Sequence, residues 1–119
     1  MPKDRRTMGR AAESAAAEYL ETRGFRILYR NWYGRTGELD IVCQKENTLH
    51  IVEVRCRRSG SMTDPAETLT AKKLAALEKT AREFLYVHGI DGLFVSMDLV
   101  CCREEKGEIS VTGFWENVT

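Results

Sequence analysis

Two short apolar runs, Gly37-Glu38-Leu39-Asp40-Ile41-Val42 and Ile51-Val52-Glu53-Val54-Arg55, are each interrupted by acids. Side chains alternate in direction along a strand. Glu38 and Asp40 therefore share one face of the first run, with Leu39 and Ile41 on the other, and Glu53 shares a face with Arg55 in the second. A carboxylate set in the middle of Ile-Val-Glu-Val is costly unless it is paired, solvated or bound to a cation. The fold of this chain has to supply one of those three. If the two runs pair as a hairpin, Asp40 and Glu53 can lie near each other, and a divalent cation would relieve their repulsion. Hard oxygen ligands with open coordination positions suit Mg²⁺ or Mn²⁺.

The remaining segments frame these runs. Met8 to Arg23 has helical periodicity: Ala12, Ala15, Ala16, Tyr19 and Leu20 share one face, and Arg10, Ser14, Glu18 and Glu21 the other. Glu13 breaks that division by falling among the apolar positions, which makes it a candidate third acid, reaching a metal through water. Gly24 ends the helix. Phe25 to Tyr33 reads as a strand, followed by a turn at 33–37 and then the two acid-bearing strands, with Gln44 to Thr48 as a connecting loop. Asp64-Pro65-Ala66-Glu67 is a helix start with a capping box. The helix that follows, with an early break allowed, reaches about His88 and carries a stripe of Leu74, Leu77, Ala81, Phe84, Leu85 and His88. Strands from about Leu93 to Cys102 and Ile109 to Trp115 complete the chain. The order helix, three strands, helix, two strands predicts an α/β layered domain with a mixed sheet flanked by helices.

A chain of 119 residues is the size of one domain, 1–119, and can bury one core without disulfides or a structural metal. Lys and Arg number 18, as do Asp and Glu, which excludes binding to nucleic acid through bulk positive charge but leaves room for a local basic patch. There is no apolar run of membrane-spanning length and no signal core at the N-terminus. The four cysteines, Cys43, Cys56, Cys101 and Cys102, form no Cys-x-x-Cys pair, and the two histidines, His50 and His88, are far apart. A zinc site is not expected, and a reducing cytoplasm is the expected compartment.

The motif Gly37-Glu38-Leu39-Asp40-Ile41-Val42 followed by Ile51-Val52-Glu53-Val54-Arg55-Cys56-Arg57-Arg58 resembles the YraN-like family of bacterial proteins, related to Holliday-junction resolvases and restriction-endonuclease-like nucleases. The likeness extends through Gly9-Arg10-x-x-Glu13, Gly24-Phe25-x-Ile27-Leu28-x-Arg30-Asn31, Lys73, Thr80-Ala81-x-x-x-Leu85 and Met97-Asp98-Leu99-Val100. It implies a restriction-endonuclease-like fold with an acidic site at a fork in the sheet. Carried over, Asp40 and Glu53 are metal ligands, the backbone carbonyl of Val54 supplies a third oxygen, Glu13 is the helical acid and Lys73 the helical basic residue. Arg55 stands where the nuclease superfamily pattern has lysine. It cannot serve as a base, but it can fix a phosphate.

What the resemblance implies is metal-assisted cleavage of DNA phosphodiesters, with branched or structured DNA as the substrate class and Mg²⁺ or Mn²⁺ as cofactor. Arg57, Arg58, Lys72, Lys73, Arg5, Arg6 and Arg10 are the candidate phosphate contacts. Junction resolvases act as dimers, so a homodimer is implied too, although the residues themselves give no interface signal. Two other readings stay open. One is a nucleic-acid-binding module of the same fold without useful catalysis. The other is an interaction protein in which Asp40 pairs with Arg55, Arg57 or Arg58 and the acids are purely structural. Glu38 is either a further acid of the site or a structural partner, and Asp98 is expected to be structural. His88 reads as core or cap, and His50 has no identifiable catalytic partner. Trp32, Tyr33 and Trp115 are either core or rim residues or platforms for bases.

Overall fold

Local chemistry sets the ends of the elements. In the computed structural model, which describes residues 5–119 and side chains from Met8 onward, the first helix, α1, spans Arg5–Thr22. It stops at Gly24, whose φ is +90°. The Gly24 amide donates to the Glu21 carbonyl and the Phe25 amide to the Leu20 carbonyl, so the terminal carbonyls are satisfied as the chain turns into the sheet. The Asp64 capping box is present, but it opens a single 3₁₀ turn, Pro65–Thr68. The second long helix, α2, begins afresh at Ala71 with Thr70 as its cap and runs to Val87.

Five strands follow the expected order: β1 Arg26–Tyr33, β2 Glu38–Lys45, β3 Thr48–Arg58, β4 Phe94–Glu105 and β5 Glu108–Trp115. The loop expected at Gln44 to Thr48 shrinks to Glu46-Asn47, because pairing runs out to Lys45 and Thr48. The β4–β5 connection likewise closes on Lys106-Gly107. The strands lie in sequence order across one sheet. All neighbours are antiparallel except β3 and β4, which are parallel over the length of β3. Parallel pairing requires a crossover, and α2 provides it.

Each helix covers one face. Ala12, Ala16 and Leu20 of α1 pack with Ile41, Cys43, Val52, Val100 and Cys102. Ala81 and Phe84 of α2 pack with Leu39, Val42, Leu49, Ile51 and Met97 on the other face. Small alanines let α1 sit close to the sheet. Phe84 is fully buried, and its apolar area removed from water is worth about 2–3 kcal/mol. The result is the mixed-sheet α/β domain flanked by helices that the element order predicted, compatible with a restriction-endonuclease-like layering.

One expected pattern fails, and it fails at the acids. Leu39 and Ile41 do not share a face: Ile41 packs under α1 and Leu39 in the α2 cluster. The β2–β3 ladder ends at Ile41↔Val52. Upstream of that point β2 is paired with β1 alone, through Trp32↔Leu39 and Tyr33↔Glu38. Its β1 partner strand carries Asn31 in the left-handed region (φ 53°). A strand held on one edge, against a neighbour with that kink, no longer keeps strict alternation.

A candidate metal centre at a fork in the sheet

The end of the β2–β3 ladder creates the site. Extending the register by one step would set Asp40 opposite Glu53, but the strands part there. In place of a strand carbonyl, Asp40 Oδ2 accepts the hydrogen bond of the Val54 amide at 2.9 Å. A residue in a strand sends its amide and its carbonyl to the same edge, so the Val54 carbonyl also leaves β3 on the fork side.

The Asp40 and Glu53 carboxyls enter the same cleft, close enough for each to act on the other. Burial and the neighbouring Asp40 charge push Glu53 up to about 8, against the pull of Arg55. At neutral pH the Glu53 carboxyl therefore largely keeps its proton. Arg55 Nη2 lies 3.1 Å from Glu53 Oε2. Its Nε is buried without a hydrogen-bond partner. Asp40, Glu53 and Arg55 line a cleft of about 260 Å³ together with Glu38, Thr36, Thr80 and Lys73. Lys73 comes from the first turn of α2 and is exposed.

Glu13 approaches from α1 on the opposite face. It lines an adjoining groove with Arg10, Asn31 and Tyr33, and Glu38 belongs to the walls of both spaces. Burial and the charge of Asp40 raise the Glu13 carboxyl above its usual range, while a hydrogen bond with Asn31 and the charge of Arg30 hold it down. Its Oε1 is buried and has no partner. Glu13 and Glu53, far apart in sequence and on opposite faces, thus each sense Asp40 and Glu38 at the fork. Among the sequence-predicted site residues, the fork brings together Asp40, Glu53, Arg55, the Val54 backbone and Lys73, with Glu13 and Arg10 in the neighbouring groove.

The other basic candidates sit differently. Arg57 turns back to donate to the Cys56 carbonyl at 3.0 Å. Arg58 is exposed at the end of β3, and Lys72 is exposed on α2 outside the cleft lining. The side chains of Arg5 and Arg6 lie outside the described residues. Asn31, Thr36 and Thr80 belong to the site and were not foreseen in it. The available signal was Asn31 within a β-branched and aromatic run, since asparagine tolerates the left-handed region better than its neighbours.

A second polar cluster lies on the α1 face, three residues back along β3. His50 Nδ1 is 2.6 Å from Asp98 Oδ2 and 3.8 Å from Glu116 Oε1. Asp98 Oδ1 also accepts from Ser96 Oγ at 2.5 Å and the Asn117 amide at 3.0 Å. Asp98 is 1% exposed, and these partners satisfy its buried carboxylate. His50 thus has a partner after all, supplied by the parallel β3–β4 register. All four cysteines are buried and unpaired, and no helix among the described residues is long and apolar enough to cross a membrane.

Comparison with known proteins adds the family. The model of the uncharacterised protein family UPF0102 matches residues 12–103. A UPF0102 protein of Syntrophomonas wolfei is 38% identical over 108 residues, covering 89% of this chain and 92% of that one. One of Myxococcus xanthus is 35% identical over 99 residues, covering 83% and 79%. One of Acidothermus cellulolyticus is 43% identical over 84 residues, covering 71% and 64%. The matched region contains Glu13, both acid-bearing strands and α2.

Proposed function

This chain belongs to the uncharacterised protein family UPF0102, and we propose that it is a divalent-metal-dependent nuclease acting on DNA, with branched or structured DNA as its substrate. The observation that carries this reading is the Asp40–Glu53 carboxyl pair, brought into one cleft where the sheet forks. A buried carboxyl that stays protonated beside a second acid, even with an arginine already against it, is poorly accounted for as structural glue and suits an arriving cation.

The donor set fits a hard cation. Asp40, Glu53 and the Val54 carbonyl would hold Mg²⁺ or Mn²⁺, and the orphaned Glu13 Oε1 has the chemistry to bind one of its waters. When bound, the ion supplies a lowered pKa for water and a positive charge opposite the reacting phosphate. Arg55, on the same face as Glu53, binds a non-bridging phosphate oxygen and leaves proton abstraction to other groups. Lys73 reaches the same cleft from α2 and holds a second oxygen. Arg10 in the adjoining groove contacts the neighbouring phosphate. The same reading places the protein in the reducing cytoplasm, which four free thiols suit, and a two-fold pair of chains would match a two-fold junction.

The test is cleavage of flapped, branched and single-stranded DNA with Mg²⁺ or Mn²⁺. Wild type should cut, and Asp40→Asn and Glu53→Gln should fall to background. Cleavage that survives both substitutions would remove the site from the mechanism. A second reading, DNA binding without cleavage, is favoured by Arg55 itself, whose guanidinium already pairs with Glu53.

A further inference from the structure

Beside the acidic cleft, between the turn after β1 and the last two turns of α2, runs a groove of about 640 Å³. That lies within the ~300–1,000 Å³ span of small-ligand clefts. Its floor is Trp32, which is half-buried and stacked edge-on against Phe84 at 5.2 Å. Its walls are Tyr33, 72% exposed, and Tyr86, 88% exposed. Large aromatic surfaces left this open mark a binding surface more often than a packing fault.

Two features tie the groove to the cleft. Thr36 belongs to the walls of both, and Tyr33 also lines the groove of Glu13. The shared wall is built rigidly. Glu83 on α2 accepts hydrogen bonds from the Arg35 amide at 2.6 Å, the Thr36 amide at 2.9 Å and Thr36 Oγ1 at 2.6 Å. A side chain at Gly34 would meet Glu83 Oε1 and the Trp32 ring at 2.6 Å, so the turn sits as close to both as a glycine allows. Three donors hold the Glu83 carboxylate ionised and turned into the wall, beside Arg35. The exposed Arg35 side chain stands at the rim, complementary to a phosphate.

We propose that this groove binds an unpaired nucleotide next to the scissile phosphate, its base stacked on Tyr33 and Tyr86 and its phosphate met by Arg35. The inference deepens the nuclease reading and rests on it. A base inside a duplex has both faces covered by its neighbours, whereas a base in a flap, gap or junction arm offers one to a ring. The groove therefore selects open over fully paired DNA without reading sequence.

The experiment measures binding to a 5′-flap and to a matched duplex, each carrying 2-aminopurine, at low ionic strength in EDTA so that no metal-assisted cleavage depletes the substrate. Wild type should prefer the flap and quench the probe there. Tyr33→Ala with Tyr86→Ala should weaken flap binding by about ten-fold or more, as expected for losing stacked bases, and Tyr86→Ala alone, outside the acidic groove, should weaken binding to the flap and leave duplex binding unchanged. Tyr33→Phe with Tyr86→Phe should restore flap binding. Both tyrosines are surface residues, and an unchanged melting temperature confirms that the variants fold. Equal loss on flap and duplex, or none on the flap, overturns the proposal, as does loss of self-association with DNA binding intact. A flap preference without cleavage under any metal would sink the nuclease reading alone. Cleavage of flap and duplex at equal rates, with no tyrosine dependence, would sink the groove alone.

Discussion

Glu53 concentrates the chemistry of the protein in one side chain. Its carboxyl is pushed up to about 8 by burial and by Asp40. An acid whose pKa rises on folding is bound to its proton more tightly in the native state. Its contribution to stability is then fully present below the unfolded value of 4.5 and is lost as pH rises through about 8. Metal-free wild type should therefore lose stability on the order of a few kcal/mol between those limits. Glu53→Gln should flatten that part of the profile, as read by urea unfolding at a series of pH values. Equal slopes for the two proteins would mean that Glu53 titrates normally and that Asp40 does not act on it. The neighbouring Arg55 separates catalysis from binding. Arg55→Lys keeps the charge beside Glu53 and adds a group able to exchange a proton. If the site is a slowed nuclease, single-turnover cleavage in Mn²⁺ should increase several-fold with DNA affinity nearly constant. An unchanged or absent rate would favour the binding module.

At the scale of elements, what was legible in the sequence is what depends on neighbours along the chain. Helical periodicity located α1 and α2, β-branched runs located the strands, and the Asp64 box marked a real start, though of a 3₁₀ turn. The acids stood out because each broke a local pattern. Hidden from view was everything set by pairing between distant strands. The parallel register of β3 with β4 puts His50 beside Ser96 and Val52 beside Asp98, and no local signal encodes that. The fork was hidden as well, since strict alternation assigns Leu39 to the wrong face once β3 lets go of β2. Asp98 is the test of the cross-strand network. It joins β3 through His50, its own strand through Ser96 and the C-terminal segment through the Asn117 amide. Asp98→Ala strips all three of their acceptor inside the fold and should cost about 2–4 kcal/mol in chemical denaturation. His50→Phe removes one donor and keeps a ring against Phe25, so it should cost less. If the order were reversed, the imidazole and not the carboxylate would be the keystone.

Across the whole molecule, positive and negative charges balance at 18 each, yet they are not evenly laid out. Glu13, Glu38, Asp40 and Glu53 gather at the fork, and Arg10, Arg55 and Lys73 stand in the same two cavities. For a DNA backbone the centre is repulsive and the surroundings attractive, so the free protein should bind only weakly. A divalent cation at the fork, displacing the Glu53 proton, would make the protein net positive and reverse the sign where the phosphate must sit. DNA affinity should therefore rise steeply with Mn²⁺. The double substitution Asp40→Asn with Glu53→Gln, which cancels the repulsion without a metal, should bind more tightly than wild type in EDTA and gain little from Mn²⁺. The salt dependence reports how many phosphates are met. Three basic side chains predict a slope of log K against log salt near −2.7, at about −0.9 per contact on duplex DNA, and Lys73→Ala should lower it by about one contact. Fluorescence anisotropy over a salt series, with and without Mn²⁺, measures both quantities. An affinity indifferent to the metal and to the double substitution would show that DNA does not approach the fork, and the basic residues around it would then have to be explained as ordinary partners of the acids.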